Sequence, residues 1–268
     1  MQRTNEKANH PTQGKVYAIT SGKGGVGKTS VAVNLSITLA GTGLRVLLID
    51  ADMGLASIDL MTGVSAPHTI EEVIRGESSI FDALADGPEN LTILSAGSGT
   101  GKIREMGESS VELFRKELLK LENAFDMVFI DTGAGISANV VDFVFMSQEV
   151  IVVMTPEPTA FADAYAMVKV VTMEKPRMQV GIIVNMASNE AEAETIGTKF
   201  SEIVQRFLGK NVRYRGFIPK DSVVAESIMR QVPLALYAAK SAPMQSIRKI
   251  ARNLLGLKAP KKIGLFNR

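Results

Sequence analysis

The 268-residue chain has no cysteine. That absence removes disulfides, thiolate catalysis, iron-sulfur ligation and the usual structural zinc site. Redox chemistry is not expected. Neither sign of charge is in excess. The 30 lysines and arginines face 28 aspartates and glutamates, a net of +2, so no bulk field draws the chain to nucleic acid and no specific nucleic-acid partner is expected. No run of about 18 apolar residues is present to span a bilayer. Met1 to Gly14 is polar and lacks the apolar stretch of a signal peptide, so a cytoplasmic location is expected. What is present is ordinary globular composition, 46% hydrophobic and 22% charged, with enough length for one large α/β domain. No internal repeat is visible.

Apolar β-branched runs alternate with longer segments of helical period. This pattern predicts βαβ units and a single-domain α/β fold, a mainly parallel twisted sheet covered by helices on both faces. The expected strands are 15–20, 45–50, 91–94, 127–131, 149–154, 179–185 and 212–217. The expected helices are 27–40, 69–76, 109–122, 138–147, 159–174, 190–208, 222–231 and 242–257. One domain is read over 15–257, between a flexible N-terminal segment, 1–14, and a short basic and apolar tail, 258–268. Thr20, Asp50, Asp131 and Asn185 fall at strand ends. Open α/β sheets bind ligands outside the carboxyl ends of their strands, so a site is expected there.

Between the first strand and the first helix, Gly22-Lys23-Gly24-Gly25-Val26-Gly27-Lys28-Thr29 fits G-x-x-x-x-G-K-[ST], a P-loop, with Ser30 opening the helix. Glycines at 22, 24, 25 and 27 let backbone N–H groups turn inward around a β-phosphate, and the helix N-terminus adds its positive dipole end. Lys28 is expected on the β- and γ-phosphates and Thr29 on Mg²⁺. Lys23 puts a second ammonium in the loop, a like-charge conflict that a polyphosphate between them would resolve. Asp131, ending Met127-Val128-Phe129-Ile130, has the Walker B pattern and would hold Mg²⁺ directly or through water; a strand-end helix cap is the alternative. Asp52 would position the attacking water and stand near the metal, while Asp50 would support the lysines or the water. Capped turns would also explain these two carboxylates. Gly133 and Gly135 would let a switch loop approach the γ-phosphate.

Lys23-Gly24-Gly25-Val26-Gly27-Lys28-Thr29 with Asp50-Ala51-Asp52 resembles the MinD/ParA, or SIMIBI, ATPases with a deviant Walker A motif, and the resemblance covers 15–257. Several segments are similar to the FlhG (FleN, YlxH) branch of flagellar-number regulators: Asp131-Thr132-Gly133-Ala134-Gly135-Ile136-Ser137, Thr155-Pro156-Glu157-Pro158-Thr159-Ala160, Gly87-Pro88-Glu89-Asn90 with Ala96-Gly97-Ser98-Gly99, and Phe217-Ile218-Pro219-Lys220-Asp221. The resemblance implies ATP as substrate, slow hydrolysis, and a face-to-face homodimer in the ATP state in which Lys23 crosses to the partner's phosphates. It implies that Asn185 and the Pro219-Lys220-Asp221 loop frame the adenine, although ordinary strand termination also explains Asn185. It further implies flagellar partners: the FlhF GTPase, C-ring proteins or a flagellar transcription regulator. A MinD-like division-site regulator is the alternative, followed by a ParA-type DNA segregation ATPase. The missing cysteines disfavour a cluster carrier.

Two departures qualify the resemblance. Met1 to Gly14 contains no Asp-Gln-Ala-x-x-Leu-Arg-type element of the kind that activates FlhF. The tail Lys261-Lys262-Ile263-Gly264-Leu265-Phe266-Asn267-Arg268 is too short for more than two helical turns and contains a glycine. It is read as a weak inner-membrane anchor, with about 1 kcal/mol per basic residue near an anionic surface and apolar burial of Ile263, Leu265 and Phe266. A solvated tail is the alternative.

Overall fold

The structure is a computed structural model that describes residues 14–52, 57–96, 108–121 and 123–257. Residues 1–13, Met53-Gly54 beside Asp52, Gly97 to Gly99 and the tail 258–268 lie outside the described residues.

The apolar runs form strands β1 (Lys15–Ser21), β2 (Val46–Ala51), β3 (Leu84–Asp86), β4 (Leu91–Leu94), β5 (Met127–Ala134), β6 (Glu149–Met154), β7 (Gln179–Ala187) and β8 (Val212–Pro219). They make one eight-stranded sheet in the order β3-β4-β2-β5-β1-β6-β7-β8. Every neighbouring pair is parallel except β3 with β4. The helices are α1 (Lys28–Ala40), α2 (Ser57–Thr62), α3 (Ile70–Ile74), α4 (Glu108–Leu119), α5 (Ala138–Phe145), α6 (Pro158–Glu174), α7 (Glu190–Leu208), α8 (Ser222–Met229), α9 (Leu234–Tyr237) and α10 (Ala242–Leu254).

Continuous hydrophobicity rather than alternation marks the central strands because both sheet faces are covered. Along β6, Ile151 and Val153 enter the core beneath α1 and α10, whereas Val150, Val152 and Met154 enter the core beneath α6 and α7. A third cluster joins Leu47, Ile49 and Ile130 to Phe114 of α4 and Phe143 of α5. α1 has ten buried positions among its 13 residues, Val31 to Leu35 among them. α7 begins at Asn189, whose side chain accepts from the Glu192 amide, and ends at the left-handed Gly209.

The structure differs from the sequence reading at element edges. β3 is an antiparallel edge strand that was not expected, since three residues are too few to display a period of two. The short helices α2 and α9 escaped for the same reason. β5 runs on to Ala134, so Gly133 is a strand residue and not part of a loop, and β8 likewise includes Pro219. The helices expected over 109–122 and 242–257 stop at Leu119 and Leu254.

The strand order reverses at β1. Its flanking partners are β5 on one side and β6 on the other. The loop after β1 therefore opens into a crevice, the place where doubly wound sheets bind ligands.

Candidate functional site

The turn between β1 and α1 is built around two left-handed glycines, Gly25 (φ 78°) and Gly27 (φ 83°). Gly27 is the N-cap of α1, provides no side-chain cap, and is followed by a first turn without an acidic residue. The first amides of α1 thus receive no capping side chain from Gly27, and the helix dipole adds positive potential there, which together suit an anion.

Two walls hold the turn in place. A Cβ at Gly22 would lie 2.2 Å from the carbonyl carbon and oxygen of Asp163, so α6 presses its backbone on the start of the loop. On the other side, a Cβ at Gly27 would lie 2.4 Å from Nδ2 of Asn185. That same Nδ2 donates to the Val26 carbonyl at 2.7 Å. Gly24 has open space around it, with nothing within 4 Å of a built Cβ.

Sheet register brings the carboxylates together. β5 lies between β1 and β2, and Asp50 of β2 pairs with Asp131 of β5. Both side chains are fully buried. Lys28 folds onto Asp131, Nζ to Oδ1 at 2.9 Å, and its Nζ is 3.4 Å from Thr29 Oγ1. Burial pushes the Asp131 carboxyl up, opposed by the Lys28 charge and the nearby Thr29 hydroxyl. Among the described residues Asp131 Oδ2 has no hydrogen-bond partner. Asp50 is pushed up to about 8, first by burial and then by the Asp131 charge, even though the amides of Asp52 and Ile58 donate to it. At neutral pH, Asp50 is therefore mostly protonated.

Asp52 stands just beyond β2, partly buried, with its Oδ1 3.8 Å from a Cβ built on Gly133. Glycine at 133 leaves that carboxylate room over β5. Gly135, at φ 89°, donates its amide to the Ser21 carbonyl and ties the end of β5 to the end of β1.

Thr29, Asp131 and Asp52 fit a hard divalent cation. Such an ion takes oxygen ligands, needs only one or two carboxylates, and would use the buried, unpartnered Oδ2 of Asp131. Among the described residues no group of three or more His, Cys, Asp and Glu side chains is arranged as a metal cluster. The remaining ligands would therefore come from a phosphate and water.

Lys23 corrects an expectation. The like-charge conflict with Lys28 is already resolved inside the chain, because each lysine has its own carboxylate. Lys23 Nζ lies 2.8 Å from Glu157 Oε2 and 3.1 Å from Thr159 Oγ1, at the start of α6. The Lys23 ammonium holds the Glu157 carboxyl below the usual carboxylate range.

Beside the turn lies a cavity of ≈350 Å³ lined by Gly27, Ser30, Asn185, Met186, Pro219, Lys220, Asp221 and apolar side chains of α8 to α10, including Ile228. Its polar groups are partly committed: Asp221 caps α8 by accepting from the Val223 amide at 3.0 Å, and the Lys220 amide donates to the Ala187 carbonyl. Lys28, Thr29, Asp131, Asp50 and Asp52 gather where the turn enters α1, and Asn185, which lines the cavity with 219–221, lies against Val26 and Gly27 just before them. The sequence reading missed Glu157 as a partner of Lys23, and missed Met186, a non-glycine residue at φ 58°. Glu157 stands in a segment already singled out, whereas nothing in the local pattern marks Met186. Another hollow, of ≈330 Å³, lies under α4 and α5 near the amino ends of β1 and β2 and is lined mainly by apolar residues such as Val16, Leu47 and Phe145. It holds none of these groups.

Residues 17–234 match the family model described as the CobQ/CobB/MinD/ParA nucleotide binding domain. The chain is 37% identical over 222 residues to the antiactivator FleN of Pseudomonas aeruginosa, an alignment covering 83% of this chain and 79% of that one. It is 30% identical over 239 residues to the flagellum site-determining protein YlxH of Helicobacter pylori, covering 88% and 80%. Among solved structures, the septum site-determining protein MinD complexed with Mg-ADP from Pyrococcus horikoshii superposes with a TM-score of 0.74 at 26% identity, covering 90% of this chain and 95% of that one.

Proposed function

The chain belongs to the CobQ/CobB/MinD/ParA nucleotide-binding family, and from that premise we propose that it is an ATP-dependent dimerisation switch governing flagellar number or placement. The observation that carries the switch chemistry is the convergence of Lys28, Thr29, Asp131 and Asp52 on one end of a glycine turn that continues into the amino end of α1. The flagellar address is supported by the likeness to FleN and YlxH over most of the chain.

In this reading the amides of 24–29 bind the β-phosphate. Lys28 leaves Asp131 to contact the β- and γ-phosphates, since phosphate oxygens offer more charge than one carboxylate. Mg²⁺, when bound, neutralises charge developing on the phosphates, with Thr29 and Asp131 holding it and Asp52 beside it. Asp52 orients the attacking water. Asp50, mostly protonated, supports the loop after β2 through the amides of Asp52 and Ile58. The adenine lies in the cavity between Gly27 and Pro219, where the Asn185 Nδ2 already holds Val26 and leaves its carbonyl for the base edge. Lys23 crosses to the partner's phosphates in the ATP dimer, hydrolysis is slow, and release returns monomers. Residues 15–257 form the ATPase unit, and the 258–268 tail contributes a weak contact at the cytoplasmic face of the inner membrane. Among the described residues no helix is long and apolar enough to cross a membrane.

The test is affinity capture from the native host with the protein held in ATP. Recovery of the FlhF GTPase, C-ring proteins or a flagellar transcription regulator is the expected result, with altered flagellar number in a deletion strain. Recovery of division-site proteins with normal flagella would overturn the flagellar address in favour of a MinD-like role. ATP-dependent, salt-sensitive capture of nonspecific DNA would favour a ParA-type role.

A further inference from the structure

The hollow of ≈330 Å³ under α4 and α5 lies at the opposite end of the sheet from the phosphate turn. Protein interiors are close-packed, so a gap of this size needs a local cause. Toward the carboxyl ends of the strands, Phe114 of α4 and Phe143 of α5 fill the space beneath the helices, meeting edge to face at 5.8 Å. Neither lines the hollow. Its floor is Leu47, Ile49 and Ile130, none more than 1% exposed, while Val16, Val128 and Met146 around it stay only partly buried. An apolar void of about 150 Å³ already takes up a small hydrocarbon, and this one falls within the size range of ligand pockets.

The mouth carries the polar groups. Arg115, on the exposed side of α4, is the one charged residue in the lining among the described residues, and no carboxylate lines the hollow. Its guanidinium has no acceptor among the described residues. Lys175 adds positive potential nearby, with its Nζ 5.6 Å from the centre of the Phe145 ring in the wall. Gln148 accepts from the Val16 amide through Oε1 at 3.2 Å, so the other end of its carboxamide is a donor. Leu119, 60% exposed, leaves an aliphatic side chain in solvent at the rim.

We propose that this hollow binds a medium-chain aliphatic monocarboxylate, with the alkyl chain over Leu47, Ile49 and Ile130 and the carboxylate at the mouth on Arg115 and Gln148. The floor offers only hydrocarbon side chains, which selects an alkyl body. A cationic mouth without a carboxylate selects an anionic head, and a guanidinium is shaped for the two oxygens of a carboxylate. A single lining charge matches a single negative charge. The site is independent of the nucleotide reading, since it shares no lining residue with the cavity beside the phosphate turn. Each methylene that enters should lower Kd by about fourfold, hence about 15-fold from hexanoate to octanoate. The exposure of Arg115 limits its share. Arg115→Gln should raise the octanoate Kd by about 2- to 5-fold and leave that of 1-octanol unchanged.

Isothermal titration calorimetry of the full chain with hexanoate, octanoate and 1-octanol, each below its micelle concentration, measures these affinities. The expected result is saturable octanoate binding with a negative heat-capacity change, unaffected by saturating ADP and Mg²⁺. No saturable binding overturns the proposal, whether the hollow stays dry or another part of the chain or a second copy covers it. Equal affinities for hexanoate and octanoate overturn the alkyl body. If 1-octanol binds as tightly as octanoate and Arg115→Gln changes neither, the carboxylate head is overturned. Val128→Phe fills the hollow and should abolish binding; retained affinity in a variant that melts as wild type does overturns the location. Methyl NMR of wild type checks the location without relying on that variant. Octanoate should shift the methyl signals of Ile49, Ile130 and Met146, whereas shifts confined to Ile228 beside the phosphate turn, or displacement of octanoate by ADP, place it elsewhere and overturn the site.

Discussion

Replacing Gly22 by alanine tests the closest approach in the site. The added methyl would sit 2.2 Å from the Asp163 carbonyl carbon and oxygen and 2.6 Å from its Cβ, against the 3.4 Å at which ordinary contact begins. The obstacle is the main chain of α6, which cannot rotate aside as a side-chain end would. α6 must therefore withdraw by about 1 Å, or the loop must lift off it. Overpacking of this kind costs about 1–3 kcal/mol. For a chain of this size that lowers the melting temperature by about 2–10 °C. Gly24→Ala is the internal control, since nothing lies within 4 Å of its Cβ and its φ is not left-handed; its melting temperature should stay within about 1 °C of wild type. Gly25→Ala should fall between them, because φ 78° costs a side chain about 1–2 kcal/mol. Calorimetric melts of nucleotide-free protein, checked against urea midpoints, measure all three. A Gly22→Ala melt indistinguishable from Gly24→Ala would refute the close seating of α6 on the loop.

Asp50, at about 8 when folded against about 3.9 for an unperturbed aspartate, keeps a proton that the unfolded chain releases across that interval. Stability should therefore fall as pH rises through it, by up to about 1.4 kcal/mol per unit, and Asp50→Asn should flatten the trend in urea midpoints between pH 5 and 8; an equal slope in the variant contradicts the assignment. Arg215 crosses over Gly181, whose built Cβ would lie 3.0 Å from Arg215 Cγ, to donate from Nε to Glu149 Oε1 at 2.9 Å, with side chains 13% and 8% exposed. Arg215→Met should then destabilise by about 3–5 kcal/mol, with most of the loss recovered when Glu149→Leu is added; additive losses in denaturant unfolding would argue against the pair. Asp52→Ala should keep nucleotide affinity while turnover drops by about 10²-fold, and phosphate release at the wild-type rate would remove Asp52 from the water-positioning role. Lys28→Ala should instead abolish nucleotide binding in calorimetric titrations, and retained affinity would be incompatible with its phosphate role.

The parts of the site that one stretch of chain can specify were legible in the sequence. The P-loop was readable because glycine spacing, a preceding apolar strand and a following helix are all local. Asp131 was marked by the four apolar residues before it, and seven of the eight strands by their β-branched runs. Two-sided burial could be inferred because strands covered on both faces lack alternation. β3 was not legible, since Leu84–Asp86 is too short to carry a period and acquires its identity only by pairing with β4.

Tertiary structure decided what those residues face. The insertion of β5 between β1 and β2 sets Asp50 opposite Asp131, and the resulting burial and charge repulsion keep a proton on Asp50. Lys23 meets Glu157 across 134 positions of sequence, and Asn185 meets Val26 across 159. No local pattern encodes such pairings, because they follow from strand order and from helix packing against the sheet. The amino acids determined by themselves that a glycine turn of P-loop pattern joins the first strand to the first helix and which side chains to expect near it. Only the fold decided that both its lysines already rest on carboxylates of their own chain, since that depends on which strand and which helix lie beside the turn.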